Sequence, residues 1–193
     1  DGNYIAYKTH SIPGFEADRF RIAVYNTHTL QTEVLSESFD YTTDNLSWSS
    51  DSKSIYFLAD NRGYSPVYKI DVQSKNITKV TDDKSVRGYQ INKDEKNLYL
   101  TFTSVDKLPE IYSYDVNASI YSQITFFNKK LMDEVDIRPA EQMWVDGADG
   151  VPVHVFVVKP HGFEEYKKYP LVINVHGGPQ MQWMDSFRGD WQV

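Results

Sequence analysis

The chain has 193 residues, of which 40% are hydrophobic and 15% aromatic, as in a globular protein. It contains no cysteine, which excludes disulfides, zinc sites built on thiolates and a thiol nucleophile. The net charge is −7 and no basic block is present, which argues against binding to nucleic acid. No apolar stretch is long enough to cross a membrane, so no membrane partner is expected.

Three segments near the start of the chain resemble one another. Residues 1–7, 51–57 and 94–100 each begin with Asp and continue into an apolar, Tyr-rich run, at spacings of 50 and 43 residues. A second pair of segments repeats at a similar spacing, because residues 68–72 recur at 112–116, which is 44 residues later. Periods of about 40–50 residues built from short strands are typical of the blades of a β-propeller.

Each repeat predicts the same short strands. The middle and third repeats each give four: 46–49, 54–59, 66–72 and 77–80, then 89–91, 97–103, 110–116 and 120–126. The first repeat lacks its opening strand and carries an insertion over residues 11–19. Asp51 and Asp94 are predicted to accept hydrogen bonds from backbone N–H groups two residues on, which closes the hairpins. Since three blades cannot close a ring, further blades are expected to precede Asp1.

The pattern changes at about residue 130. A polar linker over 128–138, with a short helical turn, is predicted to lead into a strand pair, 141–145 and 151–158. The apolar run 171–175 then predicts a strand buried on both faces of a parallel sheet, and it stops at His176-Gly177-Gly178-Pro179. The last four residues can equally form an ordinary strand-ending turn.

The sequence YPLVINVHGGPQ at 169–180 resembles the prolyl oligopeptidase family of serine peptidases. With Trp183, Asp185, Phe187, Trp191 and Gln192 it is most similar to the bacterial members of the acylaminoacyl-peptidase and dipeptidyl-peptidase 5 branch. The resemblance covers the whole chain. It implies a mainly β fold: residues 1–130 would be the C-terminal part of a β-propeller, and 131–193 a linker and the first strands of an α/β-hydrolase domain.

The resemblance also implies a Ser-Asp-His triad with its serine in a G-x-S-x-G turn, and no such turn occurs here. Ser65 follows Gly63 and Tyr64 but is rejected, because Pro66 and Val67 come next. All three triad members are therefore expected beyond Val193. The remaining site candidates form the oxyanion loop: Gly178 and Gly177 through their backbone N–H groups, and His176, which shapes the loop.

Other candidates are set aside or left open. His10, His28, His154 and His161 lack metal-ligand spacing and are predicted to have surface or packing roles; no metal and no cofactor are expected. Residues 183–191 are predicted either to line the active site or to pack behind the strand. In dipeptidyl-peptidases of the family, acidic side chains hold the free amino group of the substrate, but the sequence singles out no carboxylate for this role.

The predicted function is that of a fragment of a serine exopeptidase, of dipeptidyl-peptidase or acylaminoacyl-peptidase type, which by itself is inactive. Its partners would be short peptide substrates, and any homodimer would form through the missing parts. The resemblance favours a periplasmic or secreted location, with a cytoplasmic one left open. A non-catalytic propeller module leaves 169–180 unexplained, and an esterase of the α/β-hydrolase fold leaves the repeats unexplained.

Overall fold

A computed structural model describes residues 1–178 and 181–192, and the prediction of a mainly β chain is confirmed. The strands are β1 Tyr4–Thr9, β2 Arg21–Asn26, β3 Thr32–Val34, β4 Thr43–Trp48, β5 Ser54–Ala59, β6 Val67–Asp71, β7 Ile77–Lys79, β8 Ser85–Ile91, β9 Asn97–Ser104, β10 Lys107–Asp115, β11 Ile120–Gln123, β12 Ala140–Asp146 and β13 Pro152–Val158. The helix α1 spans Lys129–Glu134, and 3₁₀ turns span Ala148–Gly150 and Gly189–Trp191. None of these helices is long and apolar enough to span a membrane.

Strands β1–β11 form three antiparallel sheets in chain order, and β12 and β13 form a separate pair. The first sheet has the order β1-β2-β3, and the second and third have the orders β4-β5-β6-β7 and β8-β9-β10-β11. Each strand of a sheet therefore pairs with its sequence neighbours, as in a propeller blade. Every predicted strand of the middle and third repeats has its counterpart here, and the first sheet lacks the opening strand as predicted.

The turns repeat as closely as the strands. Asp51 and Asp94 each accept a hydrogen bond at 3.0 Å from the backbone N–H two residues on, donated by Lys53 and Lys96. Asp1 accepts the same bond from Asn3 at 3.0 Å. A second turn recurs at Asn26, Asp71 and Asp115, whose side chains each accept from the N–H groups two and three residues on. The turn role predicted for the repeated Asp residues is confirmed.

The middle sheet is buried on both faces because alternate residues of β5 point to opposite sides. Ile55, Phe57 and Ala59 belong to a cluster with the first sheet, which contributes Ile22 and Val24. Tyr56 and Leu58 belong to a second cluster with the third sheet, which contributes Val86, Tyr89, Leu98, Leu100, Phe102 and Tyr114. Face-to-face packing of successive sheets, with the core between them, gives the chain a propeller-like β domain.

Glu95 joins the second sheet to the third through three hydrogen bonds. Its carboxylate accepts from the Ser50 N–H at 2.7 Å, the Tyr56 hydroxyl at 2.8 Å and the Lys69 ammonium at 3.3 Å. Burial opposes ionisation of this carboxyl, but the three donors prevail and lower its pKa. The carboxylate is therefore held in its charged form between the sheets.

Glu95→Ala should lower the free energy of unfolding by about 2 kcal/mol, since a carboxylate that accepts several hydrogen bonds is lost between two sheets. Urea denaturation followed by tryptophan fluorescence measures this change. The exposed Glu165, which makes no hydrogen bond through its side chain in the described residues, supplies the control Glu165→Ala. Equal midpoints for the two variants would contradict the bridging role of Glu95.

The hairpin β12–β13 packs against the second sheet at the turn 61–64. It pairs in unbroken register from Ala140–Val158 to Asp146–Pro152, as the predicted strand pair requires. A Cβ on Gly63 would lie only 2.5 Å from Cζ of Phe156, so a larger residue at this position would displace the ring of Phe156. The predicted helical turn in the linker is also present, as α1.

The prediction of a buried strand over 171–175 is wrong. The run has no strand pairing, and its side chains lie in solvent, with Leu171 79% and Val172 87% exposed. A parallel strand is buried only when strands flank it and helices cover both faces. The described residues supply no neighbouring strand and no covering helix here, so the apolar run remains uncovered.

Candidate functional site

The predicted oxyanion loop lies at the end of the exposed run. Gly178 has φ of 148°, which favours glycine, and the His176 ring donates from Nδ1 to the Gly177 carbonyl at 3.0 Å. A Cβ added to Gly177 would meet no atom within 4 Å. Pro179 lies outside the described residues. The structure thus brings no other candidate residue to His176, Gly177 or Gly178, and their role stays a prediction.

The residues set aside from the sequence have structural contacts. Ser65 is buried between the second and third sheets, where its backbone N–H donates to the Lys84 carbonyl at 3.1 Å. The four histidines have ordinary partners: His10 stacks on Phe20, His28 donates to Asn3, His154 stacks on Trp144, and His161 contacts Asp136 at 2.8 Å. These contacts agree with the surface and packing roles predicted for them.

The segment 181–192, called here the C-terminal segment, docks on the second and third sheets. The backbone N–H of Asp185 donates to the Gly63 carbonyl at 2.7 Å, and its carboxylate accepts from the Val105 N–H at 2.8 Å. Gln182 accepts from the Gly63 N–H at 2.9 Å, and the Phe187 N–H donates to Thr103 at 3.1 Å. The contacted loops follow β5 and β9. The C-terminal segment therefore covers one end of the second and third sheets, which is called here the docking end.

Two tryptophans in this segment enclose a guanidinium. The Arg188 guanidinium lies 5.1 Å from the Trp183 ring and 5.2 Å from the Trp191 ring, within the range of a cation–π contact. Asp190 holds the same guanidinium through two hydrogen bonds, at 2.9 and 2.6 Å. The sequence left two alternatives open for 183–191, lining the active site or packing. The contacts seen here are packing contacts.

Asp185→Ala should weaken the docking of the C-terminal segment by about 1–2 kcal/mol, because the Val105 N–H loses its acceptor. Asp185→Asn should cost less, since an amide oxygen can still accept and the carboxyl, whose pKa is raised by burial, no longer has to be charged. Limited proteolysis within 181–192 measures the docking. Faster cleavage of the Asn variant than of the Ala variant would contradict the assignment.

A cavity of about 360 Å³ opens at the docking end, beside the C-terminal segment. Charged side chains of both signs line it, Lys8, Asp44, Asp60 and Arg87, and Met184 of the C-terminal segment closes one side. Lys8 donates to Asp44 at 2.6 Å and holds the Asp44 pKa below its usual range. Burial raises the pKa of Asp60, whose carboxylate has no ion-pair partner among residues 1–178 and 181–192.

Sequence reasoning missed this cavity. Its residues come from loops and strand ends of all three sheets, and none forms a local motif. The aligned repeats did carry one usable signal. They place the loop after Ala59, with Asp60 and Ser65, at the same end of the sheets as the insertion 11–19.

No protein-family model matches the chain. Individual proteins do match it over nearly its whole length. It is 26% identical over 196 residues to dipeptidyl-peptidase 5 of Schizosaccharomyces pombe, a match that covers 99% of this chain and 28% of that protein. It is 28% identical over 181 residues to dipeptidyl-peptidase 5 of Porphyromonas gingivalis, covering 93% of this chain and 26% of that protein. The chain thus spans little more than a quarter of these relatives.

Among solved structures, the fold matches the acylaminoacyl peptidase of Pyrococcus horikoshii with a TM-score of 0.80 and 17% identity, over 100% of this chain and 29% of that one. The chain is thus similar in sequence to two dipeptidyl-peptidases 5 and similar in fold to an acylaminoacyl peptidase. The resemblance stated from residues 169–192 is confirmed. The match to these peptidases runs through the sheets, the hairpin and the HGG loop alike.

Proposed function

We propose that the chain is part of a longer serine exopeptidase that cleaves short peptides. The observation that carries the proposal is the continuous match to dipeptidyl-peptidase 5 over 99% of the chain. A propeller module alone would match only the three sheets, and an esterase would match only the part after the linker. The match spans both, which supports a peptidase that combines them.

In this proposal the two parts of the chain have different roles. Residues 1–130 are the last blades of a propeller, and 131–193 begin the α/β-hydrolase domain. The backbone N–H of Gly178, with that of Gly177, faces the negative oxygen of the tetrahedral intermediate. The nucleophile, acid and base come from beyond Val193, so the 193 residues alone are inactive.

The cavity at the docking end would receive the amino end of the peptide. Its two carboxylates differ, because Asp44 is already bound to Lys8 at 2.6 Å whereas Asp60 is free of ion pairs in the described ranges. A substrate ammonium would pair with Asp60 and so offset the burial that raises its pKa. The propeller above this cavity would admit short peptides and exclude folded proteins.

The test uses the complete protein and two substrates, a dipeptide anilide with a free amino group and an N-acetylated single-residue anilide. Asp60→Asn should raise KM for the free substrate about tenfold, equivalent to about 1.4 kcal/mol, and leave the acetylated substrate unaffected. Asp40→Asn, at an exposed position outside the cavity, is the matched control.

The outcomes distinguish the role of Asp60 as the anchor from the assignment of the protein as an exopeptidase. An unchanged KM for the free substrate would exclude Asp60 as the anchor but leave the peptidase assignment standing. Hydrolysis of the acetylated anilide alone would select the acylaminoacyl-peptidase type over the dipeptidyl-peptidase type. Failure of the complete protein to hydrolyse either anilide would contradict the exopeptidase proposal.

A further inference from the structure

A second cavity, of about 300 Å³, lies between the turn 61–64 of the second sheet and the hairpin β12–β13. This volume is at the lower bound of those that hold small ligands. The cavity is lined by Asn61, Arg62, Tyr64, Lys79, Asp83, Gln142, Trp144 and His154. It shares no residue with the cavity that contains Asp60.

Arg62 reaches this cavity from an unusual backbone position. Arg62 and Gly63 both have positive φ, 50° and 80°, and Asn61 and Tyr64 exchange backbone hydrogen bonds at 2.8 and 3.0 Å. These are the features of a type I′ turn, whose first central position favours Asn, Asp or Gly over a long side chain. The arginine thus occupies a place where the backbone alone would select another residue.

A chain of hydrogen bonds sets the direction in which the Tyr64 hydroxyl points its proton. His154 donates from Nε2 to the Gln142 amide oxygen at 2.9 Å, and the Gln142 amide nitrogen donates to the Tyr64 hydroxyl oxygen. The Tyr64 proton is therefore directed away from Gln142. Burial raises the pKa of Tyr64, so its hydroxyl remains a donor at neutral pH.

The charges around the cavity favour an anion. Lys79 and Asp83 pair with each other at 3.0 Å and cancel. Burial and the nearby Arg62 lower the pKa of His154, which is then neutral at pH 7. Arg62 has no ion-pair partner within the described part of the chain, so the cavity carries one uncompensated positive charge. A planar guanidinium is well suited to a carboxylate, which it can bind through two hydrogen bonds.

Two of the residues that line this largely polar cavity, Trp144 and His154, are aromatic. The rings of Trp144 and His154 stack with centroids 4.7 Å apart and planes 20° from parallel. Trp144 remains 54% exposed, so part of its ring surface is available for a flat or apolar group. A ligand that carries a carboxylate beside such a group would match both the positive charge of Arg62 and the exposed surface of Trp144.

We propose that this cavity is a binding site for the carboxyl end of a peptide whose last residue is aromatic. The carboxylate pairs with the Arg62 guanidinium and accepts from the Tyr64 hydroxyl, and the aromatic side chain lies against Trp144. The proposal goes beyond the peptidase assignment and does not depend on it, because it concerns equilibrium binding to the turn 61–64 and the hairpin β12–β13.

Isothermal titration calorimetry on the complete protein tests the site with N-acetylphenylalanine as the probe. Saturable binding is expected, and N-acetylphenylalaninamide, which lacks the charge, should bind at least tenfold more weakly. Lys130→Gln, which removes an exposed cation of α1, should bind the probe as the unchanged protein does. Equal binding of acid and amide, or no saturable binding of the acid, would overturn the proposal.

Arg62→Asn separates loss of the site from loss of the fold. Asn-Gly suits a type I′ turn, so this variant should melt at a higher temperature while its affinity for the probe falls at least tenfold. Trp144→Leu, a change at a half-exposed position, should weaken the acid about threefold and serves as the second variant. Probe binding that survives both changes would place the ligand elsewhere and refute the site.

Discussion

Replacing Gly178 with valine in the complete protein is expected to slow acylation by about 100- to 1000-fold, or about 2.7–4 kcal/mol of transition-state stabilisation. Gly178 has φ of 148°, a conformation that a β-branched residue cannot adopt without strain, so the N–H would turn away from the oxyanion. Burst-phase kinetics with an activated ester measure the acylation step directly. The far-ultraviolet circular dichroism spectrum should not change, because the substitution alters one residue outside the helices and strands.

The matched control is Gly189→Ala in the C-terminal segment. Its added methyl group would meet only an ordinary contact with Phe187 at 3.8 Å, so acylation should be unaffected. If Gly178→Val acylates as fast as the control, the HGG loop does not supply an oxyanion donor and must be read as a plain strand-ending turn.

The largest loss of stability is expected from Phe57→Ala, at about 3–5 kcal/mol. Phe57 is fully buried between the first and second sheets, and its ring lies 5.6 Å from those of both Phe39 and Tyr68. Removing the ring leaves a cavity in the centre of one of the two core clusters. The shift of the urea midpoint, multiplied by the slope of the transition, gives the change in unfolding free energy.

Tyr166→Ala provides the comparison, because it removes an aromatic ring of similar size that is 96% exposed. This variant should stay within about 0.5 kcal/mol of the unchanged protein. Similar costs for the two variants would mean that the first and second sheets do not share the core described here.

The repeats could be predicted from the sequence because their signals are local. Asp51 and Asp94 close tight turns with their own backbone. The apolar strand β5 that follows Asp51 is buried throughout, and β9, which follows Asp94, largely alternates in its burial. The opening strands were predicted too short. β4 begins at Thr43 and β8 at Ser85, and each has a register shift soon after, at Asp44–Ser47 and Val86–Gly88. Such bulges break the period of two on which the prediction relied.

The features that the sequence predicted wrongly, or did not predict, depend on contacts between residues far apart in the chain. The run 171–175 signals burial by its composition, but burial requires neighbouring strands and helices that these residues do not provide. The docking of Asp185 on Gly63 and Val105 joins positions far apart in the chain, as does the cavity that holds Asp60. No spacing or motif in one sequence reports such contacts.

The assignment to a serine peptidase is tested by the intact mass of the complete protein before and after reaction with a fluorophosphonate probe. We expect a species far larger than 22.4 kDa that gains the mass of one probe, on a serine beyond Val193. A complete protein that folds and gains no probe mass would contradict the assignment to a serine peptidase.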